Sequence, residues 1–399
     1  MIFKEDVYNI YLPLIFSALH VIFGFLFFGF LGRQGDYHLG LFSFYHSFII
    51  IFSHFFRLGA DFEILSSNEL ITTNFKSIKS LFKAIFSLNC IILILSLFSK
   101  FFIYENIFLD TFLGSSLFAL NIFISFFLRK KGHSVFYSFF VNSPFILALS
   151  IIQSFDLVDP YTAINVFILS LMILNIFAII LVAFHLNFRS YLKVELKNIK
   201  FIFSNLRYTF SANLLLLFLS QFPVLVFGFV NDFSSSATFK IINKISSIII
   251  LISQQVFTRT IPKISAYYSK DNRRLFKEYK ISLKKSYTFS LLYFFIILLF
   301  SDFILNFFSL DITISILIMG FVMHMPRLLT GPIPNLLVVL DMKKDFLRVM
   351  FACLIISVFF IIPLIYFKIN AAILFMFSFS CFMSIYSLVL IKNNKKLNV

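Results

Sequence analysis

The sequence contains no tryptophan, and it has only three cysteines, 11 glycines and 9 prolines among 399 residues. Cys90, Cys353 and Cys381 lie in separate apolar runs with no paired spacing, which excludes a disulfide framework and a cysteine-based metal site. Charged residues make up 13% of the chain, whereas a typical soluble domain has about 25%. With 60% hydrophobic residues, the sequence predicts a protein that uses the lipid bilayer as its solvent.

Apolar runs of the length that a membrane-spanning helix needs, about 20 residues, recur along the whole chain. They predict an all-α polytopic membrane protein with about 12 transmembrane helices. The predicted spans are 8–30, 39–56, 83–103, 109–128, 134–154, 163–187, 207–230, 236–259, 286–304, 313–339, 347–367 and 371–391.

The basic residues are distributed unevenly between the two sides of these spans. Of the 34 Lys and Arg residues, 28 lie at the N-terminus or in every second segment between spans. The alternate segments hold only Arg33, Lys100 and Lys368. The positive-inside rule therefore predicts cytoplasmic N- and C-termini in a multi-pass protein. The net charge of +16 belongs to loops that face anionic lipid headgroups, so a nucleic-acid partner is not expected.

A long basic segment, 188–206, separates the first six spans from the last six. We expect two six-helix bundles, 1–195 and 196–399, around a central cavity. Two corresponding spans carry polar stripes within an arc of about 120° at 100° per residue. The stripe of the second span comprises Ser43, His46, Ser47, His54 and Arg57, and that of the eighth comprises Lys240, Asn243, Lys244, Ser247, Gln254, Gln255 and Thr258.

Three cations, Lys240, Lys244 and Arg327, lie inside predicted spans. A charge at the centre of a span costs about 2.5 to 3.5 kcal/mol on insertion scales, so it normally faces water or a partner. Less specific explanations stay open: the lysines could snorkel to the headgroups, and the uncharged polar residues could join packed helices. Arg327 lies between Pro326 and the sequence Gly331-Pro332-Ile333-Pro334, which should bend or break the helix, and the freed carbonyls could hold its guanidinium.

Acidic residues are missing from the middle of every predicted span; Asp61, Glu63, Asp232 and Asp302 lie at span ends. A site for organic cations needs negative charge at depth, and this sequence offers positive charge instead. The pattern therefore favours an anionic substrate. His46 and His54 are candidate proton-coupling residues, although each could equally be a packed neutral imidazole. No spacing of His, Cys, Asp or Glu predicts a metal site.

Several short segments resemble the polysaccharide-transport branch of the MATE-like (MOP) exporter superfamily. They are Leu31-Gly32-Arg33 to Gly40-Leu41-Phe42-Ser43, Phe56-Arg57-Leu58-Gly59-Ala60-Asp61, Pro262-Lys263-Ile264-Ser265-Ala266-Tyr267-Tyr268 through Phe276, and Gly331-Pro332 followed by the apolar run to Asp341-Met342-Lys343-Lys344. The chain looks like an O-antigen flippase of the Wzx type. In that family the first two helices of each bundle line the cavity, and Lys240 and Lys244 match a span that often carries a cavity cation.

The resemblance implies a non-enzymatic flippase of the bacterial inner membrane that translocates a polyprenyl-diphosphate-linked oligosaccharide by alternating access. Lys240, Lys244 and Arg327 would bind the diphosphate, and His46, Asn243, Ser247, Gln254 and Gln255 would bind sugars. No cofactor is expected, although a proton or sodium gradient could drive transport, and other polysaccharide-assembly proteins are possible partners. The alternatives are a MATE-type multidrug or cation antiporter and a membrane polysaccharide polymerase or glycosyltransferase, which would need a larger external loop.

Overall fold

A computed structural model describes residues 12–58, 89, 91–96, 98, 107–130, 136, 139–140, 143–155, 160–185, 199–267, 272–308, 312–340 and 342–393. Regular structure in these residues is helical. Among the helices whose bounds are described, the first five are α1 (Leu12–Gln34), α2 (Asp36–Arg57), α3 (Ile107–Lys130), α4 (Pro144–Phe155) and α5 (Pro160–His185). The next five are α6 (Ile199–Phe229), α7 (Phe233–Ser246), α8 (Ile248–Tyr267), α9 (Asn272–Leu299) and α10 (Ser301–Phe308). The last five are α11 (Ile314–Val322), α12 (Met325–Thr330), α13 (Ile333–Val339), α14 (Lys343–Phe359) and α15 (Ile361–Lys392).

Every described helix overlaps a predicted span or extends one. Within those residues, seven helical stretches are long and apolar enough to cross a membrane, and shorter apolar helices accompany them. The chain is thus an all-α polytopic membrane protein, as predicted. Most of the predicted third span, 83–103, lies outside the described residues.

Three spans differ in detail from a straight helix. The predicted interruption of the tenth span by its prolines and Gly331 is confirmed, since residues 314–339 form the three short helices α11, α12 and α13. The eighth span comprises α7 and α8, which meet at Ser247; the Ser247 backbone stays in the right-handed helical region, with φ −69° and ψ −10°, and its amide donates to the Asn243 carbonyl. Helix α15 has a kink at Lys368, where φ is 47°, and this kink separates the eleventh and twelfth predicted spans.

The ninth span was predicted too short at its N-terminal side. Hydropathy places its start at residue 286, but α9 begins at Asn272 and is 28 residues long. At 1.5 Å per residue this helix measures about 42 Å, longer than the roughly 30 Å hydrocarbon core. The reason is that Lys, Arg and Glu form helices well without being apolar, so the helix continues beyond the lipid.

The chain divides into two compact units. Unit 1 comprises Met1–Gln34 with Leu41–Phe210, and unit 2 comprises Gly35–Gly40 with Ser211–Val399. In unit 1, α5 packs against α3 and α4. In unit 2, α7 packs against α11 and α15, and α8 packs against α9 along most of its length.

An ion pair joins two interhelical turns of unit 2. The Asp232 carboxylate, between α6 and α7, lies 3.0 Å from the Lys368 ammonium in the turn of α15. The same carboxylate caps α7, accepting hydrogen bonds from the Ser235 amide (3.1 Å) and hydroxyl (2.9 Å). Both turns were predicted to lie on the external side, and their ion pair places them at the same end of unit 2.

Candidate anion-binding site

The two lysines of the eighth span lie on α7, whose N-terminus Asp232 caps. The Lys240 side chain is buried, with 7% of the residue exposed, and its Nζ donates a hydrogen bond of 2.8 Å to Oε1 of Gln221 on α6. Lys244 lies one turn further and is half-buried. Residues three and four apart share one face of a helix, so Lys240, Asn243 and Lys244 form one polar surface.

A hydrogen bond connects this surface to the interrupted tenth span. Nε2 of His324, in the link between α11 and α12, lies 3.1 Å from Oδ1 of Asn243. An amide oxygen only accepts, so in this arrangement Nε2 carries the proton and the two N–H donors of Asn243 remain available to a ligand. His324 is 1% exposed, and its Nδ1 has no hydrogen-bond partner in the part of the chain that the structure describes.

Close packing of α11 on α7 positions that hydrogen bond. A Cβ atom on Gly320 would lie 2.4 Å from Cγ2 of Ile242, so only a residue without a side chain fits there. Ile242 precedes Asn243, and His324 follows Gly320 by one helical turn. The glycine therefore lets the two backbones approach until the polar side chains meet.

Arg327 lies on α12, three residues after His324. Its guanidinium carbon lies 5.4 Å from the centre of the Phe379 ring, and one of its nitrogens lies 3.9 Å from the sulfur of Met383, both on α15. Among the described residues it has neither a carboxylate nor a carbonyl partner. A guanidinium stacked on an aromatic ring keeps its in-plane N–H groups available for an anion.

Hydroxyl groups, and not Arg327, donate to two backbone carbonyls near the helix break. The carbonyl of Thr330 would normally accept from the amide of residue 334, but Pro334 has no N–H; the Tyr279 hydroxyl donates to it instead. The Pro326 carbonyl accepts from the hydroxyls of Thr330 (2.9 Å) and Ser384 (3.2 Å). The alternative that freed carbonyls hold the guanidinium thus has no support in these contacts.

The remaining residues of the predicted stripe lie at the C-terminal end of α7 and on α8. Ser247 lies where α7 meets α8, and its hydroxyl bonds to the Lys244 carbonyl at 3.2 Å. Gln254 and Gln255 are exposed on α8, whereas Lys240 is buried. Burial therefore varies along the predicted stripe, from buried at Lys240 to exposed at Gln255.

The predicted histidines of the second span belong to unit 1. His46 is 7% exposed and lies among four phenylalanine rings. Its ring centre is 5.5 Å from Phe42, 6.5 Å from Phe28, 5.5 Å from Phe145 and 5.3 Å from Phe167. His54 is 1% exposed and stacks on Phe210 at 5.8 Å. These surroundings are aromatic, unlike the polar surface on α7.

Sequence reasoning missed Gln221, Phe379 and Met383 and did not pair His324 with Asn243. Gln221 carried a weak signal, as an isolated amide in the long apolar run of α6. His324 carried another, as a histidine immediately before the Pro326-Arg327 sequence. The partner of each residue depends on how helices pack, which a single helical face does not reveal.

No family model and no curated protein matches the sequence. Solved structures of transporters do match the fold. A multidrug resistance MATE family transporter of the MOP superfamily, in an outward-facing conformation, is 13% identical, with 97% of this chain and 94% of that chain covered and a TM-score of 0.57. A MATE in the bent conformation is 14% identical over 97% and 93% of the two chains, with a TM-score of 0.59.

A third match is a MOP superfamily transporter from Pyrococcus furiosus. It is 12% identical, covers 95% of this chain and 91% of that chain, and has a TM-score of 0.62. At these identities the likeness concerns the fold and not the cargo. The chain therefore has the fold of MOP superfamily transporters over nearly its whole length.

Proposed function

We propose that the protein is a flippase that translocates a polyprenyl-diphosphate-linked oligosaccharide, such as an O-antigen unit, across the bacterial inner membrane. The observation that carries the proposal is the placement of Lys240, Lys244 and Arg327 on membrane helices of unit 2 that the Asn243–His324 hydrogen bond connects. Each buried cation costs a few kcal/mol in a bilayer. An anionic cargo that enters the membrane would pair with these cations, which gives a reason for their presence despite that cost.

The sign of the charge in these segments favours an anion. Residues 233–267 and 312–340 contain no Asp or Glu, while they contain all three of these cations. A diphosphate presents acceptor oxygens to the ammonium groups of Lys240 and Lys244 and to the planar donor fork of Arg327. In the proposed cargo the diphosphate joins a lipid to a glycan, so the cargo combines phosphate, apolar and hydroxyl-rich parts.

The polar uncharged residues suit the glycan part of this cargo. Asn243 has two N–H donors left after its bond to His324, and Gln254 and Gln255 are exposed on α8. Ser247 is half-buried and lies where α7 meets α8, between Asn243 and the two glutamines. Amide and hydroxyl groups hydrogen-bond sugar hydroxyls without requiring charge.

The structural neighbours are compatible with this charge. The Pyrococcus furiosus transporter is described as having a binding pocket of reverse polarity that suggests a different function. Pocket polarity therefore varies among proteins of this fold. Coupling to a proton or sodium gradient is part of the proposal, with His46 and His54 as the proton-carrying residues.

Reconstituted proteoliposomes test the proposal directly. A polyprenyl-diphosphate oligosaccharide with a fluorescent label on its sugar is placed in both leaflets, and a membrane-impermeant quencher reports how fast the inner pool reaches the outside. We expect Lys244→Gln and Lys240→Gln to slow this exchange about ten-fold each, the effect of losing one charge-assisted hydrogen bond of about 1.5 kcal/mol. Lys392→Gln removes an exposed lysine from the end of α15 and is the matched control.

The MATE-type cation antiporter is favoured by the fold match alone, and one isosteric change separates the two functions. Asn243→Asp places a carboxylate between Lys240 and Lys244 without altering size. A lipid-diphosphate flippase should lose exchange, because the new anion neutralises the binding surface. If wild type exchanges the labelled lipid no faster than protein-free liposomes, the flippase proposal is wrong, and uptake of lipophilic cations by wild type would favour the antiporter. If Lys240→Gln and Lys244→Gln exchange the lipid as fast as wild type, the assignment of these lysines to the binding site is wrong.

A further inference from the structure

Helix α9 carries a strongly basic surface along its N-terminal half. Its first fourteen residues contain a single acidic residue, Glu278. The basic residues are all exposed: Arg273, Arg274, Lys277, Lys280, Lys284 and Lys285. We call these six residues the α9 basic surface. Four of them have spacings of four, three and four residues and therefore form one stripe along the helix. They are Arg273, Lys277, Lys280 and Lys284.

The opposite face of α9 is fixed against α8. Leu275 is 1% exposed, and the Ser282 hydroxyl lies 2.6 Å from that of Thr260, both buried. The Tyr279 and Phe257 rings lie 5.2 Å apart. These contacts hold the orientation of the helix, so the basic residues point away from unit 2.

The α9 basic surface continues directly into a lipid-type surface. Exposed apolar side chains begin at Ile281 (42%) and Tyr287 (38%) and become the rule from Phe289 (54%) and Leu292 (58%) onward. The level of Ile281 to Tyr287 therefore corresponds to the boundary between headgroups and acyl chains. Lys280, Lys284 and Lys285 lie at that level.

The other three cations lie further from the lipid. At 1.5 Å per residue, Lys277, Arg274 and Arg273 lie about 4 to 11 Å beyond Lys280 along the helix axis. This distance is comparable with the Debye length of about 8 to 10 Å at physiological salt. The surface thus has an inner group at the headgroups and an outer group that reaches the aqueous phase.

We propose that the α9 basic surface binds the headgroups of anionic phospholipids. Within the part of the chain that the structure describes, Lys280, Lys284 and Lys285 form no ion pair, so their charge is directed outward. Clusters of four to eight basic residues next to a membrane helix attract anionic lipid, at about 1 kcal/mol per residue near the surface, and the attraction weakens within a Debye length. The proposal does not depend on the transported cargo.

Spin-label electron paramagnetic resonance on the full-length protein in mixed vesicles tests this assignment. Spin-labelled phosphatidylglycerol and spin-labelled phosphatidylcholine report the relative affinity of the protein for an anionic and a neutral lipid. Two variants each remove three positive charges from the same helix: Lys280→Gln/Lys284→Gln/Lys285→Gln for the inner group and Arg273→Gln/Arg274→Gln/Lys277→Gln for the outer group. Melting temperatures of both variants verify that each remains folded.

Wild type should prefer phosphatidylglycerol, and 0.5 M NaCl should weaken the preference. The inner-group variant should reduce the phosphatidylglycerol preference at least about five-fold, the equivalent of about 1 kcal/mol for a single residue, and the outer-group variant about two-fold or less, because screening grows with distance. Equal losses, or a larger loss in the outer-group variant, would show that the surface serves a soluble acidic partner and overturn the proposal. Unchanged lipid preference in both variants would overturn it as well.

Discussion

The imidazole of His324 lies 3.1 Å from the amide oxygen of Asn243, and this contact joins the lysine-bearing helix α7 to the interrupted tenth span. Asn243 lies between Lys240 and Lys244 on one helical face, and Arg327 follows His324 by three residues. A ligand that contacts both helices therefore encounters cations whose relative positions this hydrogen bond helps to fix.

We expect His324→Leu to slow lipid exchange in proteoliposomes, because it leaves the Asn243 oxygen without its donor. A net hydrogen bond contributes about 1 kcal/mol, which corresponds to about a five-fold change. His324→Gln keeps a donor of similar reach and should recover most of the rate. If Leu and Gln variants behave alike, His324 acts by packing and not by orienting Asn243.

The break in the tenth span gives a second prediction, about stability. Tyr279→Phe removes the hydroxyl that donates to the Thr330 carbonyl, and Pro334 supplies no N–H in its place. A buried carbonyl without a donor costs about 1 to 3 kcal/mol. We expect a clearly lower melting temperature. Circular dichroism measures it, because the chain has no tryptophan whose fluorescence could report unfolding.

Tyr287→Phe is the matched control for that measurement, since Tyr287 lies on the same helix and is 38% exposed. It should melt close to wild type. Equal losses in the two variants would mean that the Tyr279 hydroxyl does not stabilise the break.

Much of the fold was predictable from single residues, and much of the site was not. Hydropathy located the spans, and Pro326, Pro332, Pro334 and Gly331 predicted the break because their effect on the backbone is local. The lysines of α7 were found because burying a charge is costly wherever it occurs. Gln221 and the Asn243–His324 pair were missed because their contacts join residues 19 and 81 positions apart. Such contacts are set by the way the helices pack. The start of α9 was missed for another reason, because helix propensity outside the lipid determines it and hydropathy does not.

Gly320 gives a prediction about that packing. Gly320→Ala places a Cβ atom 2.4 Å from Cγ2 of Ile242, so α11 must shift away from α7. Overpacking of this kind costs about 1 to 3 kcal/mol. We expect a lower melting temperature together with slower lipid exchange, because the shift also lengthens the Asn243–His324 contact.

A double-mutant cycle identifies the clash as the cause. Ile242→Ala removes Cγ2 and is itself destabilising through the cavity that it leaves. In that background Gly320→Ala should cost little, since the atom that it would meet is gone. A penalty that stays the same in both backgrounds would assign the effect of Gly320→Ala to something other than Ile242.

The Asp232–Lys368 ion pair gives a prediction about pH. Partial burial raises the pKa of Asp232, but hydrogen bonds from Ser235 and Lys368 outweigh it, so the pKa of this carboxyl is below its ordinary value. The charged form therefore stabilises the folded protein fully above the unfolded pKa of about 3.9, and the contribution is lost as the pH falls through the lower folded value. Asp232→Asn keeps a helix cap but cannot form the ion pair or titrate.

At pH 7 we expect Asp232→Asn to melt below wild type by the equivalent of about 0.5 to 1 kcal/mol, as for a partly exposed ion pair. The difference should shrink as the pH falls below about 4, because wild type then loses the charge that the variant never had. Asp302→Asn, at an exposed carboxylate in the first turn of α10, controls for general effects of charge removal and should show no such trend. A wild-type advantage that grows on acidification would contradict the lowered pKa, because it would require the protonated carboxyl to be the stabilising form.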